Sequence, residues 1–141
     1  MLFRGLPSPE SARYGPLVRF CEEQEDQVLA SLPWFAAEIV AQSDFHLLIN
    51  LVLARSGSRI YQQDLRRECR RRGVTLCDKT MDRLIAMNNG SDRFELPSAW
   101  GVFSTLRRLA ILCDLRRGLP AATIARNYGV SLRYLRSLRN G

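Results

Sequence analysis

The stretch from Thr123 to Gly141, TIARNYGVSLRYLRSLRNG, concentrates side chains that can bind a polyanion. It holds four arginines, and no acidic residue occurs from Leu119 onward. The guanidinium group of arginine forms paired hydrogen bonds with phosphate and with the O6 and N7 atoms of guanine, and the asparagine amide pairs in the same way with adenine. These residue types indicate recognition of nucleic acid.

The spacing of apolar residues around Gly129 predicts two short helices joined by a tight turn. Pro120 can open the first helix and Ser131 can cap the second. Glycine adopts the positive φ that such a turn requires, and Ala125, four residues earlier, is small enough for the helices to cross closely. The apolar positions expected between the helices are Ile124, Tyr128, Val130, Leu135 and Leu138.

The second helix would present a polar face, because Leu135 and Leu138 point inward and successive residues turn by about 100°. Side chains on the outer face would contact base edges in a major groove, and side chains at its flanks would contact phosphates. A terminal helical hairpin with a solvated basic face is the alternative interpretation. The candidate DNA-binding residues are the outward Arg133, Arg136, Ser137 and Asn140, the flanking Arg126 and Arg139, and the capping Ser131.

Part of this region resembles a known family. ATIARNYGVSLRYLRSL is similar to the first helix-turn-helix of AraC-type transcription activators, including activators of type III secretion genes, at its Ile-Ala, Gly-Val-Ser and Tyr-Leu positions. The preceding LRRLAILCDLRRGLP fits the same subdomain of that family. The resemblance implies a regulator that binds double-stranded DNA. It covers only Leu106 to Leu138, and the family's linker helix and second helix-turn-helix have no counterpart in this sequence.

The charge is unevenly distributed along the 141 residues. Up to Phe45 the chain has three arginines and seven acidic residues, whereas from His46 onward it has eighteen basic residues and seven acidic ones. This asymmetry predicts a polyanion-binding part and an acidic part that binds a partner protein or forms a homodimer. A generally basic surface without a ligand is the alternative. Lys79 is the only lysine, and the preference for arginine fits either bidentate binding or a GC-rich genome.

The acidic part is expected to be helical. Pro16 can start one helix, with acidic residues outside, and Pro33 another that carries an apolar cluster. That cluster is larger than a short helix can easily hide, so it predicts dimerisation through the residues before Ser43. Its members are Trp34, Phe35, Ile39 and Val40.

The middle of the chain weakly resembles a winged helix. Arg59 to Leu96 reads as a short extended piece, a helix near Gln62 to Arg72, a second helix near Asp78 to Met87, and a turn into a second extended piece. A winged helix that is purely structural and one that reads DNA are equally consistent with this pattern. The expected buried residues are Leu65, Cys69, Val74, Leu76, Met81, Leu84 and Ile85.

Neither a metal site nor a catalytic centre is expected. The four cysteines are scattered without a Cys-x-x-Cys pair, and His46, the only histidine, lies in an apolar run. We expect buried free thiols, no metal, no cofactor and no catalytic residues. There is no phosphate-binding glycine loop, paired-carboxylate motif or Ser/His/Asp arrangement.

Together these patterns predict a mainly α protein with an N-terminal helical extension over residues 1–43, a winged-helix-like segment over 44–97 and a helix-turn-helix subdomain over 98–141. No apolar run approaches the ~18 residues of a membrane span, so a cytoplasmic location is expected. The leading hypothesis is a bacterial or phage transcription regulator rather than an enzyme. The alternatives are a protein-interaction module whose helix-turn-helix is structural and an accessory protein of DNA processing.

Overall fold

A computed structural model describes residues 5–140, and the chain is mainly α as the sequence predicts. These residues form nine helices and two short strands. None of the helices within residues 5–140 combines the length and the apolar character needed to cross a membrane. The elements in chain order are α1 (Tyr14–Glu23), α2 (Glu25–Ser31), α3 (Trp34–Gln42), α4 (Phe45–Arg55), β1 (Arg59–Tyr61), α5 (Gln62–Arg71), α6 (Asp78–Met87), β2 (Arg93–Glu95), α7 (Ala99–Arg116), α8 (Ala121–Tyr128) and α9 (Leu132–Asn140).

The helices and strands group into two compact units. The central unit is Leu32–Ala99, and the terminal unit contains the residues up to Ser31 together with those from Trp100 onward. These units differ from the three segments expected from the sequence, because α1 and α2 belong with α7, α8 and α9, whereas α3 belongs with the strands.

In the central unit, local signals fix where the apolar helix α4 begins. The Asp44 carboxylate accepts a hydrogen bond from the Leu47 N–H at 3.0 Å and so caps the N-terminal end of the helix. Six of the eleven residues of α4 are buried, in agreement with its nearly continuous apolar sequence. The strands β1 and β2 pair antiparallel, with Ile60 opposite Phe94 and both side chains buried.

Helix α3 hides most of the apolar cluster that was expected to drive dimerisation. Phe35, Ile39 and Val40 are buried, and only Trp34 is exposed, at 39%. The Phe35 ring stacks on the Phe94 ring with 4.9 Å between centroids, so β2 supplies a partner that the sequence pattern did not reveal. The expectation of a large exposed apolar surface on α3 is therefore wrong.

The helices α5 and α6 bury most of the residues predicted for the middle segment. Leu65, Cys69, Leu76, Met81 and Leu84 are buried, while Val74 and Ile85 are half-buried. Ion pairs on the exposed sides of α5 and α6 link these helices to their neighbours. Arg66 of α5 binds Asp78 of α6 at 3.0 Å, and Arg83 of α6 binds Glu38 of α3 at 2.8 Å.

In the terminal unit, the amphipathic helix α1 contributes core residues as well as charge. Leu17, Val18 and Cys21 of α1 are buried, as is Val28 of α2. The acidic residues on the other side of these helices, Glu22, Glu23, Glu25 and Asp26, are exposed. Helix α7 adds an apolar stripe, in which Val102, Phe103, Leu106, Leu109 and Ala110 are buried.

The four cysteines are free, but they are not all buried as expected. Cys21 and Cys69 are buried, Cys113 is half-buried, and Cys77 is exposed. Cys77 immediately precedes α6, and its Sγ lies 3.3 Å from the Thr80 Oγ1. The expectation of four buried thiols is therefore wrong at Cys77 and only partly met at Cys113.

Candidate nucleic-acid interface

A side-chain hydrogen bond joins α7 to α8, the first of the two helices that carry the candidate DNA-binding residues. Near the C-terminal end of α7, the Asp114 carboxylate accepts a hydrogen bond of 2.8 Å from the hydroxyl of Tyr128, the last residue of α8. Burial raises the pKa of Tyr128, and the hydrogen bond to the Asp114 carboxylate raises it further. Tyr128 therefore stays protonated at neutral pH and donates to Asp114. Sequence reasoning assigned Tyr128 only an apolar role and missed this bond, because its two partners are fourteen residues apart.

The turn after α8 has the backbone conformation that the sequence predicts. Gly129 adopts a φ of 65° and a ψ of 34°, and its N–H donates to the Ala125 carbonyl. The N–H of Val130 donates to the same carbonyl at 3.1 Å, which closes the end of the helix. A Cβ added to Gly129 would meet no atom within 4 Å, so glycine is needed here for its backbone conformation and not for space.

The start of α9 is fixed by Ser131, whose hydroxyl oxygen accepts a hydrogen bond of 3.0 Å from the Tyr134 N–H. This is the predicted N-cap. Fewer side chains are fully buried between α8 and α9 than the sequence predicts. Ile124, Tyr128 and Leu135 are buried, whereas Ala125, Val130, Tyr134 and Leu138 are half-buried.

The structure places every candidate DNA-binding side chain at the surface. The side of α9 opposite Leu135 carries Arg133, Arg136, Ser137 and Asn140, whereas Arg139, four residues after Leu135, lies at its flank. One exposed residue of the same helix was missed by sequence reasoning: Leu132, 46% exposed, directly follows the capping serine. The exposed candidates are Arg126 on α8, Ser131 in the turn, and Arg133, Arg136, Ser137, Arg139 and Asn140 on α9.

The arginines of α8 and α9 differ in their charge environment from most arginines of the central unit. In the central unit, arginines such as Arg59, Arg67 and Arg71 form ion pairs with carboxylates. Within residues 5–140, none of the four arginines of α8 and α9 has an ion-pair partner. An arginine without a carboxylate partner keeps its full hydrogen-bonding capacity for an incoming anion. The α8–α9 pair is thus an exposed, uncompensated cationic surface.

Among the described residues, no group of three or more His, Cys, Asp or Glu side chains is arranged to hold a metal ion. Comparison with models of known protein families, with curated proteins and with solved structures found no match for this chain.

Proposed function

We propose that this chain is a DNA-binding transcription regulator that reads a specific double-stranded site through a helix-turn-helix formed by α8 and α9. The observation that carries the proposal is that the arginines of α9 are exposed and form no ion pair with an acidic residue within the described residues. The similarity of its sequence to the first helix-turn-helix of AraC-type activators supports the same function.

In this proposal α9 lies in the major groove and α8 crosses the phosphate backbone, as in other helix-turn-helix proteins. Arg133 and Arg136 bind guanine, and Asn140 binds adenine. Arg126 and Arg139 contact phosphates and fix the register of the protein on DNA. Leu132, exposed at the start of α9, adds an apolar contact that suits a thymine methyl group.

A single helix-turn-helix makes few contacts, so we propose that a second copy or a partner protein supplies the remaining affinity. The exposed acidic residues of α1 and α2, from Glu22 to Asp26, are the candidate surface for that contact. In the same proposal, the β1–α5–α6–β2 segment acts as a winged-helix-like scaffold. Three of its arginines are paired with Asp78, Asp64 and Glu68, which makes it a weaker competitor for phosphate.

The decisive test is binding to DNA over a range of salt concentrations. A regulator of this kind binds random duplex DNA with an affinity that falls steeply with salt, and it binds fragments selected from a genomic library more tightly. Fluorescence anisotropy with both kinds of DNA measures these two properties. Failure to bind any duplex at low salt would contradict the proposal and favour a protein-interaction module.

A further inference from the structure

The central unit contains a groove that the proposed DNA interface does not use. It has a volume of about 570 Å³, within the ~300–1,000 Å³ range of known ligand sites. Pro33, Trp34 and Phe35 at the start of α3 form part of its lining, and the residues around β2 form another part. Trp34 is 39% exposed although the rest of the apolar cluster of α3 is buried. An exposed tryptophan beside a groove is typical of a recognition surface.

The edge of β2 that borders this groove has free backbone groups. The Leu96 N–H donates to the Ser58 carbonyl and the Gln62 N–H donates to the Asp92 carbonyl, each at 3.0 Å. Hydrogen-bonded pairs alternate along an antiparallel ladder, so the N–H and C=O of Glu95 point away from β1. Within residues 5–140 neither group has a hydrogen-bond partner.

The neighbouring outward position on β2 is already occupied. The Arg93 carbonyl accepts a hydrogen bond of 2.6 Å from the Asn88 side chain, and the Arg93 N–H donates to the Ser91 hydroxyl at 3.2 Å. The turn after α6 therefore covers one end of the β2 edge and leaves the end at Glu95 open. An open strand edge beside an apolar wall is a site at which another extended chain can add.

The side chains at this edge specify what kind of chain would fit. The inner face of the two strands is apolar, with Ile60 and Phe94 buried, and the outer face carries Arg59 and Arg93. Arg59 is paired with Glu95 at 3.2 Å, whereas Arg93 has no ion pair within the described residues and lies 5.2 Å from the centre of the Tyr61 ring. A third strand would continue the alternation, with apolar side chains inside and acidic ones beside Arg93.

We propose that this groove binds an extended peptide segment of a partner protein, in which acidic and apolar residues alternate, as a third strand beside β2. The peptide backbone bonds the N–H and C=O of Glu95. Its apolar side chains pack against Trp34, and a carboxylate binds the Arg93 guanidinium. This inference does not depend on DNA binding, since α8 and α9 belong to the other unit.

The test uses the full chain with Trp100→Phe, so that Trp34 becomes the only tryptophan and its emission reports on the groove. The probes are acetylated, amidated hexapeptides that alternate Glu with Leu or Glu with Phe. A Lys/Leu hexapeptide, an N-methylated copy of each acidic peptide, and the oligonucleotide dT6 are the comparisons. We expect saturable changes in Trp34 emission with an acidic peptide, and at least about tenfold weaker binding after N-methylation, which removes backbone donors.

Two variants locate the binding. Arg93→Gln is expected to weaken binding of the acidic peptides about tenfold, the effect of one charge-assisted hydrogen bond. Arg70→Gln is the matched control, because Arg70 is an exposed arginine of the same unit without an ion pair within residues 5–140, and it should leave binding unchanged. Circular dichroism checks that both variants are folded. The proposal would be overturned if neither acidic peptide binds, or if N-methylation or Arg93→Gln leaves the affinity unchanged. It would also be overturned if dT6 or the Lys/Leu peptide binds more tightly than the acidic peptides.

Discussion

The hydroxyl of Tyr128 donates a hydrogen bond to the Asp114 Oδ2 at 2.8 Å and so connects the end of α8 to α7. The bond is partly buried, and its acceptor is a carboxylate, which makes it stronger than a bond between neutral groups. It holds the helix that precedes the turn at Gly129 and thereby positions α9.

The first prediction concerns this bond. Tyr128→Phe removes the donor and keeps the ring, so the free energy of unfolding should fall by about 1–2 kcal/mol. Urea denaturation followed by circular dichroism measures the change. The control is Tyr134→Phe in α9, where the hydroxyl has no hydrogen bond to another described residue and removal should change little. Equal losses for the two variants would show that the Tyr128–Asp114 bond does not stabilise the fold.

The second prediction separates two arginines by their positions on the helices. Arg133 lies in the first turn of α9 and Arg126 lies on α8. Arg133→Ala should cost about 1–3 kcal/mol on the specific DNA site and relax its sequence preference, with little change on random DNA. Arg126→Ala should weaken binding to both kinds of DNA alike and lower the salt slope by about one.

Anisotropy titrations on a selected site and on random duplex at several salt concentrations measure both effects. Because both side chains are exposed, both variants should keep the native helical content, which serves as the control. Equal, sequence-independent losses would mean that α9 contacts only the backbone of DNA. If neither variant loses affinity, α8 and α9 do not form the binding surface.

The third prediction compares two exposed glycines. Gly129→Ala places a Cβ on a residue with a φ of 65°, and the left-handed conformation costs about 1–2 kcal/mol with a non-glycine residue. Gly15→Ala lies in α1 without a positive φ or a close neighbour, and alanine favours the helix by up to about 1 kcal/mol. Thermal unfolding should therefore show opposite shifts. A neutral Gly129→Ala would mean that the turn can relax into another conformation.

The fourth prediction is a loss of stability at alkaline pH. Burial raises the pKa of the Cys69 thiol to about 11 and that of the Cys21 thiol to about 12, from an ordinary value of 9.0. The folded protein holds these protons more tightly than the unfolded chain does. The stabilisation is complete below pH 9 and is lost as the pH rises through the folded values. By about pH 10.5 the loss should be on the order of 1–2 kcal/mol for each thiol.

Urea denaturation at a series of pH values measures this loss. Cys69→Ala removes one titrating group, so its stability should be lower at neutral pH but fall less steeply between pH 9 and 11. Cys77→Ala is the control, since that thiol is exposed, and it should leave the slope unchanged. Parallel pH profiles for all three proteins would assign the alkaline loss to other groups.

Features set by neighbouring residues were predictable from the sequence. The cap at Ser131 and the turn at Gly129 each depend on a few consecutive residues, and each was found as expected. Features that depend on contacts between residues far apart in the sequence were not predictable from it. The burial of Phe35 depends on Phe94, and the role of Tyr128 depends on Asp114, and nothing in local spacing identifies either partner.

The candidate site shows the same division. Helical periodicity placed Arg133 and Arg136 on one exposed side of α9 and Arg139 at its flank. The contrast between these arginines and the ion-paired ones of the central unit required coordinates, because Arg83 and Glu38 are forty-five residues apart in the sequence. Periodicity reports which side of a helix is polar, but it does not report which charges are already neutralised.

The exposed thiol of Cys77 has a consequence for any measurement of oligomeric state. Hydrogen bonding from Thr80 lowers the pKa of this thiol, so more of it is thiolate near neutral pH than for an ordinary cysteine. An accessible thiolate is readily oxidised by air, and two such groups from separate molecules join in a covalent bridge. A dimer formed in this way would disappear on adding a reducing agent, whereas a dimer formed through α1 and α2 would persist.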